Sequence, residues 1–78
     1  MPRIFEKDGY VFFFYSNDHR PIHVHVRHGG GEAVFNVELQ IELRDSHGLK
    51  QNELGKAEEL IAQRLDLIRE KWYEYFGR

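Results

Sequence analysis

Up to Ser46 apolar and polar positions alternate in short runs, and from about Asn52 apolar residues recur every three or four positions. The first pattern belongs to strands, whose side chains point to opposite faces in turn, and the second to an amphipathic helix. Arg3-Ile4-Phe5-Glu6-Lys7 runs into Asp8-Gly9, a strong hairpin dipeptide, and then into the unbroken aromatic and β-branched run from Tyr10 to Tyr15. Such a run predicts a central strand covered on both faces. Ser16-Asn17-Asp18-His19-Arg20-Pro21 follows as a turn-rich loop, ended by a proline that has no N–H for a ladder.

Ile22 to His28 alternates strictly, with Ile22, Val24 and Val26 on one face and His23, His25 and Arg27 on the other. Gly29-Gly30-Gly31 predicts a reversal into a return strand through Ala33-Val34-Phe35-Asn36-Val37. Leu39, Ile41 and Leu43 alternate with Gln40, Glu42 and Arg44 as a fifth strand, bounded by Asp45-Ser46-His47-Gly48. Beyond it, Leu54, Ala57, Ile61, Leu65, Ile68, Trp72 and Tyr75 form one helical stripe, widened by Leu60, Leu67 and Phe76. With Asn52 as N-cap and Gly77 as terminator, that helix would run about 35 Å, longer than a small sheet needs. Either Gly55 breaks it, or its wide apolar face also meets a partner. The prediction is a single α+β domain over 1–78: four or five antiparallel strands over about 3–45, arranged as a meander and packed against a long C-terminal helix over about 52–76.

Composition narrows the chemistry. The chain has 78 residues and no cysteine, so disulfides and thiolate sites are excluded and any metal must be held by histidine and carboxylate. Below about 80 residues a single core rarely supplies more than about 3–5 kcal/mol without a disulfide, a metal or a partner. No apolar run approaches the roughly 20 residues of a membrane span, and the first residues lack the apolar stretch of a secretory signal, so a cytoplasmic protein without membrane contact is expected. The net charge of −2 conceals an uneven division: Met1 to Gly31 carries four Lys/Arg against three Asp/Glu, and Glu32 to Arg78 seven against ten. Four of the five histidines, His19, His23, His25 and His28, lie in the first part.

The segment from Asp18 to Arg27 supports three readings. In the first, His23 and His25 are side by side on a strand and bind a divalent metal such as zinc, with Asp18 or His19 as a further ligand; the neighbouring Arg27 cation opposes this. In the second, no cofactor is needed and the exposed histidine face contacts RNA or another phosphate-bearing ligand. His23 and His25 would move protons, with His19 as an alternate base, while Arg20 and Arg27 meet the phosphate. The third is structural: the histidines are ordinary polar strand residues, and the Asp18 carboxylate accepts backbone N–H bonds that close its loop. Elsewhere the bland reading is stronger. Tyr10 to Tyr15 and Trp72 read as core, Gly29 to Gly31 as a hairpin turn, His47 as incidental, and Glu32, Glu38 and Glu42 as solvated strand residues, with pairing to His28 across the hairpin as the alternative for Glu32.

Asn17-Asp18-His19-Arg20-Pro21-Ile22-His23-Val24-His25-Val26, preceded by Met1-Pro2-Arg3-Ile4 and followed by Gly30-x-Glu32-Ala33, resembles a family of small bacterial proteins known as a domain of unknown function. That family's pattern has a Met-Pro-x-Ile start, then Asn-Asp-His-x-Pro-Pro-His-Phe-His-Val, a Gly-x-x-Ala-x-Phe hairpin and a late helical Trp. Ile22 and Val24 depart from it but keep the alternation. Asp18, His19, Pro21, His23 and His25 match the motif, and no role is inherited for any of them. The resemblance implies a gene pair like a toxin-antitoxin module and therefore a protein partner encoded nearby. The alternatives are a non-enzymatic, antitoxin-like interaction domain or a homo-oligomer built through the helix.

Overall fold

The hairpin dipeptide and the strand alternation place the first half of the chain in one antiparallel sheet. In the computed structural model, which describes residues 2–77, the strands are β1 (Arg3–Lys7), β2 (Tyr10–Phe13), β3 (His23–His28), β4 (Gly31–Asn36) and β5 (Glu42–His47), followed by helices α1 (Gln51–Gln63) and α2 (Leu65–Phe76). Strand order in space is β1-β2-β3-β4-β5, a five-stranded meander, so the predicted α+β architecture stands. Asp8 and Gly9, at φ 53° and 81°, turn β1 into β2 with both central residues in the left-handed region, the geometry that Asp-Gly favours.

One face of the sheet holds the main core. Phe12, Val24, Val26, Ala33 and Phe35 pack against Ala57, Leu60 and Ile61 of α1 and Ile68 and Trp72 of α2, all of them buried. Phe12 and its neighbour Phe13 point to opposite faces, yet both are completely buried. β2 is thus covered on both sides, as its unbroken apolar run predicts.

Three details differ from the sequence reading. The single long helix is two helices, and the break falls at Arg64 (φ −129°, ψ 28°) rather than at Gly55, which stays exposed inside α1. No glycine or proline marks the break. Arg64 N–H donates to the Ile61 carbonyl at 3.1 Å, a tightened last turn, and the Arg64 guanidinium lies 5.1 Å from the Phe5 ring centre. α1 starts one residue beyond Lys50, not at Asn52: the Glu53 side chain accepts the Lys50 backbone N–H at 2.7 Å. Finally, β5 begins at Glu42, because Asn36 pairs with Glu42 and Phe35 with Leu43. Leu39, placed in a strand by its alternation, sits in the preceding bend and is 91% exposed.

The sheet also explains two glycines differently. A Cβ on Gly31 would collide with the carbonyl of Gly48, backbone against backbone, whereas a Cβ on Gly55 would meet nothing within 4 Å. Gly31→Ala is therefore expected to lower stability by about 1–3 kcal/mol, and Gly55→Ala to raise it by about 0.5–1 kcal/mol. Urea unfolding midpoints read both; shifts of the same sign would contradict this packing.

Candidate functional site

Strand alternation sets His23, His25 and Arg27 on the face of β3 away from the main core, but that face is not open to solvent as expected. His23 is 4% exposed and His25 8%. The cover comes from three directions. Phe13, paired with His25 across β2 and β3, lays its ring 5.5 Å from the imidazole in a stacked arrangement. The Tyr15 ring meets His25 edge-on at 4.5 Å, and Trp72 of α2 lies 5.3 Å from His23. The loop between β2 and β3 then folds back and lowers Asp18 onto both histidines.

Asp18 is the hub of this cluster. Its own N–H donates to the Tyr15 carbonyl at 3.1 Å, and its Oδ2 accepts the Tyr15 N–H at 2.9 Å, so the loop is pinned at its start. His25 Nε2 lies 3.1 Å from the same Oδ2, and His23 Nε2 lies 3.2 Å from Oδ1. The His23 Nδ1 is 2.7 Å from the Pro21 carbonyl. A carbonyl oxygen accepts and never donates, so Nδ1 carries the proton in that contact. His25 Nδ1 is buried with no hydrogen-bond partner. One ligand atom from each of Asp18, His23 and His25 lies within 4.8 Å of the others, and these three form the metal-competent group among the described residues.

The remaining sequence candidates are not part of the cluster. His19 is exposed in the loop beside Asp18. Arg20 turns towards α2: its guanidinium pairs with Glu38 at 3.0 Å and lies 5.8 Å from the Tyr73 ring centre. Glu38 also accepts the Ile22 N–H at 3.1 Å, which ties the end of the loop to the bend after β4. Arg27 does border the cluster, with its guanidinium 4.9 Å from the Phe13 ring centre and 3.5 Å from Glu32. Glu32 also accepts the Tyr15 hydroxyl at 3.3 Å, so it serves Arg27 and Tyr15 rather than His28. His28 instead stacks on Tyr10 at 3.8 Å and approaches Glu53 of α1 at 3.5 Å. Phe13 and Tyr15 are the site residues that sequence reasoning assigned to the core alone; nothing in an unbroken apolar run tells which member faces which side.

Proton transfer by the histidines is constrained by this arrangement. Three of their four ring nitrogens contact Asp18 or Pro21, and the fourth is buried. Burial also pushes the His25 imidazole below its usual 6.5, against the opposing pull of the Asp18 carboxylate, with the nearby His23 adding to the depression. A histidine depressed in the folded state stays neutral while its unfolded counterpart takes up a proton, so its stabilising contribution is present above pH 6.5 and is lost as the pH falls below it. In the presence of a chelator, the wild-type protein is thus expected to lose more stability than His25→Phe between about pH 7.5 and about pH 5.5. Denaturant midpoints at each pH measure this; parallel losses would show that His25 is not the group responsible.

The comparisons with known proteins bear on the family alone. Nothing matches among the curated proteins, and nothing among the solved structures. One family model matches, over residues 9–73, which takes in every strand but β1, the loop that carries Asp18, and all but the end of α2. With that much of its length matched, the chain belongs to the family described as a domain of unknown function, DUF4160.

Proposed function

We propose that the Asp18–His23–His25 cluster and the adjoining Arg27 are the working site of this domain, and that the site takes a phosphate-bearing ligand, with RNA as its macromolecular form. The supporting observation is the placement of Arg27. Its side chain is 46% exposed, its guanidinium lies 4.9 Å from the Phe13 ring centre, and its contact with Glu32 is long at 3.5 Å. A guanidinium positioned by an aromatic ring and weakly paired keeps donors free for two oxygens of a phosphate. Because the whole chain carries −2, recognition would rest on this local geometry and not on a broad basic surface. Arg20, engaged with Glu38, contributes at the margin.

The same reading places the domain in a two-protein module of the toxin-antitoxin kind. Support for a protein partner comes from the exposed apolar side chains of Leu39 and Leu43 in and beside β5 and of Tyr73 and Tyr75 on α2. Expression of this protein alone, and together with the product of the adjacent gene, tests the module: growth arrest by one and rescue by the other is the expected result.

For the ligand, fluorescence anisotropy with a short single-stranded RNA is expected to show binding that weakens about tenfold or more in Arg27→Ala and is not restored by Arg27→Lys. Nucleoside monophosphates serve as competitors and separate a phosphate site from a polymer site. Absence of binding to RNA and to the monophosphates alike, or equal binding by Arg27→Ala, would remove the proposal.

A further inference from the structure

The cluster sets two hydrogen-bond acceptors side by side. His23 Nδ1 must hold a proton, because it faces the Pro21 carbonyl at 2.7 Å. In a neutral imidazole that leaves Nε2 as a bare lone pair. Asp18 Oδ1 lies 3.2 Å from that nitrogen, so two acceptors are close neighbours inside the protein. His25 does not resolve the conflict, since its Nε2 faces the other carboxylate oxygen and its Nδ1 reaches nothing. The side chains concerned are shielded, with 5% and 10% of the His23 and Asp18 side chains exposed. Neighbouring acceptors are expensive there, and a cation between them turns the repulsion into attraction.

That cation is either an extra proton or a metal ion, and three features fit the metal. First, at metal–ligand bond lengths of about 2.1 Å, neighbouring ligand atoms sit about 3.0–3.4 Å apart in octahedral or tetrahedral sites. The observed separations from Asp18 to His23 and His25 are 3.2 and 3.1 Å, and all three donor atoms fit within 4.8 Å. Second, His23 has the outer contact that metal-bound imidazoles characteristically have, its Nδ1–H donating to a backbone carbonyl, which fixes Nε2 as the free donor. Third, the donors come from two separate parts of the chain, so a bound ion would tie the loop carrying Asp18 to β3 in a domain that has no cysteine for a disulfide. Arg27, on the same strand face, does not fill the site: its guanidinium lies over the Phe13 ring, 4.9 Å from the ring centre, and is 46% exposed.

We propose that Asp18 Oδ1 or Oδ2, His23 Nε2 and His25 Nε2 bind one divalent first-row transition metal, of which zinc is the probe of choice. Two imidazoles and a carboxylate select such an ion over calcium or magnesium, which prefer all-oxygen shells. Three protein ligands leave at least one coordination position open, and the bound charge of the ion exceeds that of the single carboxylate, so the open position favours an anionic oxygen. Here the inference deepens the phosphate reading without resting on it, because a phosphate oxygen is one such ligand.

The test uses the full chain freed of metal by chelation. Zinc and cobalt(II) are titrated by calorimetry, melting temperature is followed with zinc, cobalt or magnesium, and ring-¹⁵N spectra report the histidine nitrogens. One ion per chain is expected, with a melting-temperature rise of about 10 °C or more at a hundredfold excess over Kd and no comparable effect of magnesium. Asp18→Asn and His23→Gln should weaken binding at least about 100-fold, beyond what loss of an outer contact alone produces, while His19→Ala and His47→Ala leave it unchanged. Circular dichroism in chelator shows whether each variant is folded, and the ring-¹⁵N shift of His23 Nε2 on adding zinc to the wild-type protein gives a readout that needs no variant. The proposal is overturned if the wild-type protein takes up no zinc or cobalt, if binding survives in both variants, or if His23 carries protons on both nitrogens and ignores zinc. RNA binding is scored separately: zinc uptake without any RNA or phosphate affinity sinks the proposed function and upholds the metal site, and the opposite result does the reverse.

Discussion

Asp18 sits where the architecture of this small protein is decided. Its carboxylate takes a backbone N–H from Tyr15 and faces both imidazoles of β3 at 3.1–3.2 Å, so the loop between β2 and β3 is held down on the sheet. With the loop in that position, His23 and His25 are enclosed on the outer face of β3, and Phe13 is fully buried on the face opposite Phe12. A second, smaller interior results, built of aromatic rings, two histidines and one charge. Removing the carboxylate would leave two buried imidazoles without their shared partner, a larger disturbance than the loss of one surface ion pair.

The two interiors divide the work of the fold. On the helix side, Phe12, Val24, Val26 and Phe35 supply non-directional burial, which tolerates rearrangement as long as volume is kept. On the loop side, nearly every contact is directional: stacking on His25, an edge contact from Tyr15, and Asp18 between the rings. Directional groups specify one arrangement but are costly when incompletely matched.

Much of the fold was legible in the residues, and the limits have physical causes. Alternation from Ile22 to His28 identified which side chains share a face, and Asp8-Gly9 located the first turn. Alternation says nothing of what lies over a face, so it does not reveal that the loop and Phe13 cover the histidines. Phe13 itself belongs to a run with no polar member to reveal its side. Leu39 shows the converse, a residue whose alternation with Ile41 and Leu43 imitates a strand although the pairing to β4 starts at Glu42. The break at Arg64 follows from the turn that lets α2 carry Ile68 and Trp72 over the sheet, a tertiary demand that leaves no glycine or proline in the sequence. Spacing brings His23 and His25 together with either Asp18 or His19, and the convergence on the Asp18 carboxylate depends on a loop geometry that spacing does not encode.

The sequential strand order has a kinetic consequence. Each strand of the meander lies beside its predecessor in the chain, so the sheet grows hairpin by hairpin and each closure confines a short stretch of backbone. The longest of these closures is the one between β2 and β3, and it is the loop that carries Asp18. The most demanding step in assembling the sheet and the formation of the candidate site are therefore the same event: a chain that has joined its two hairpins has, by doing so, brought Asp18 to its histidines.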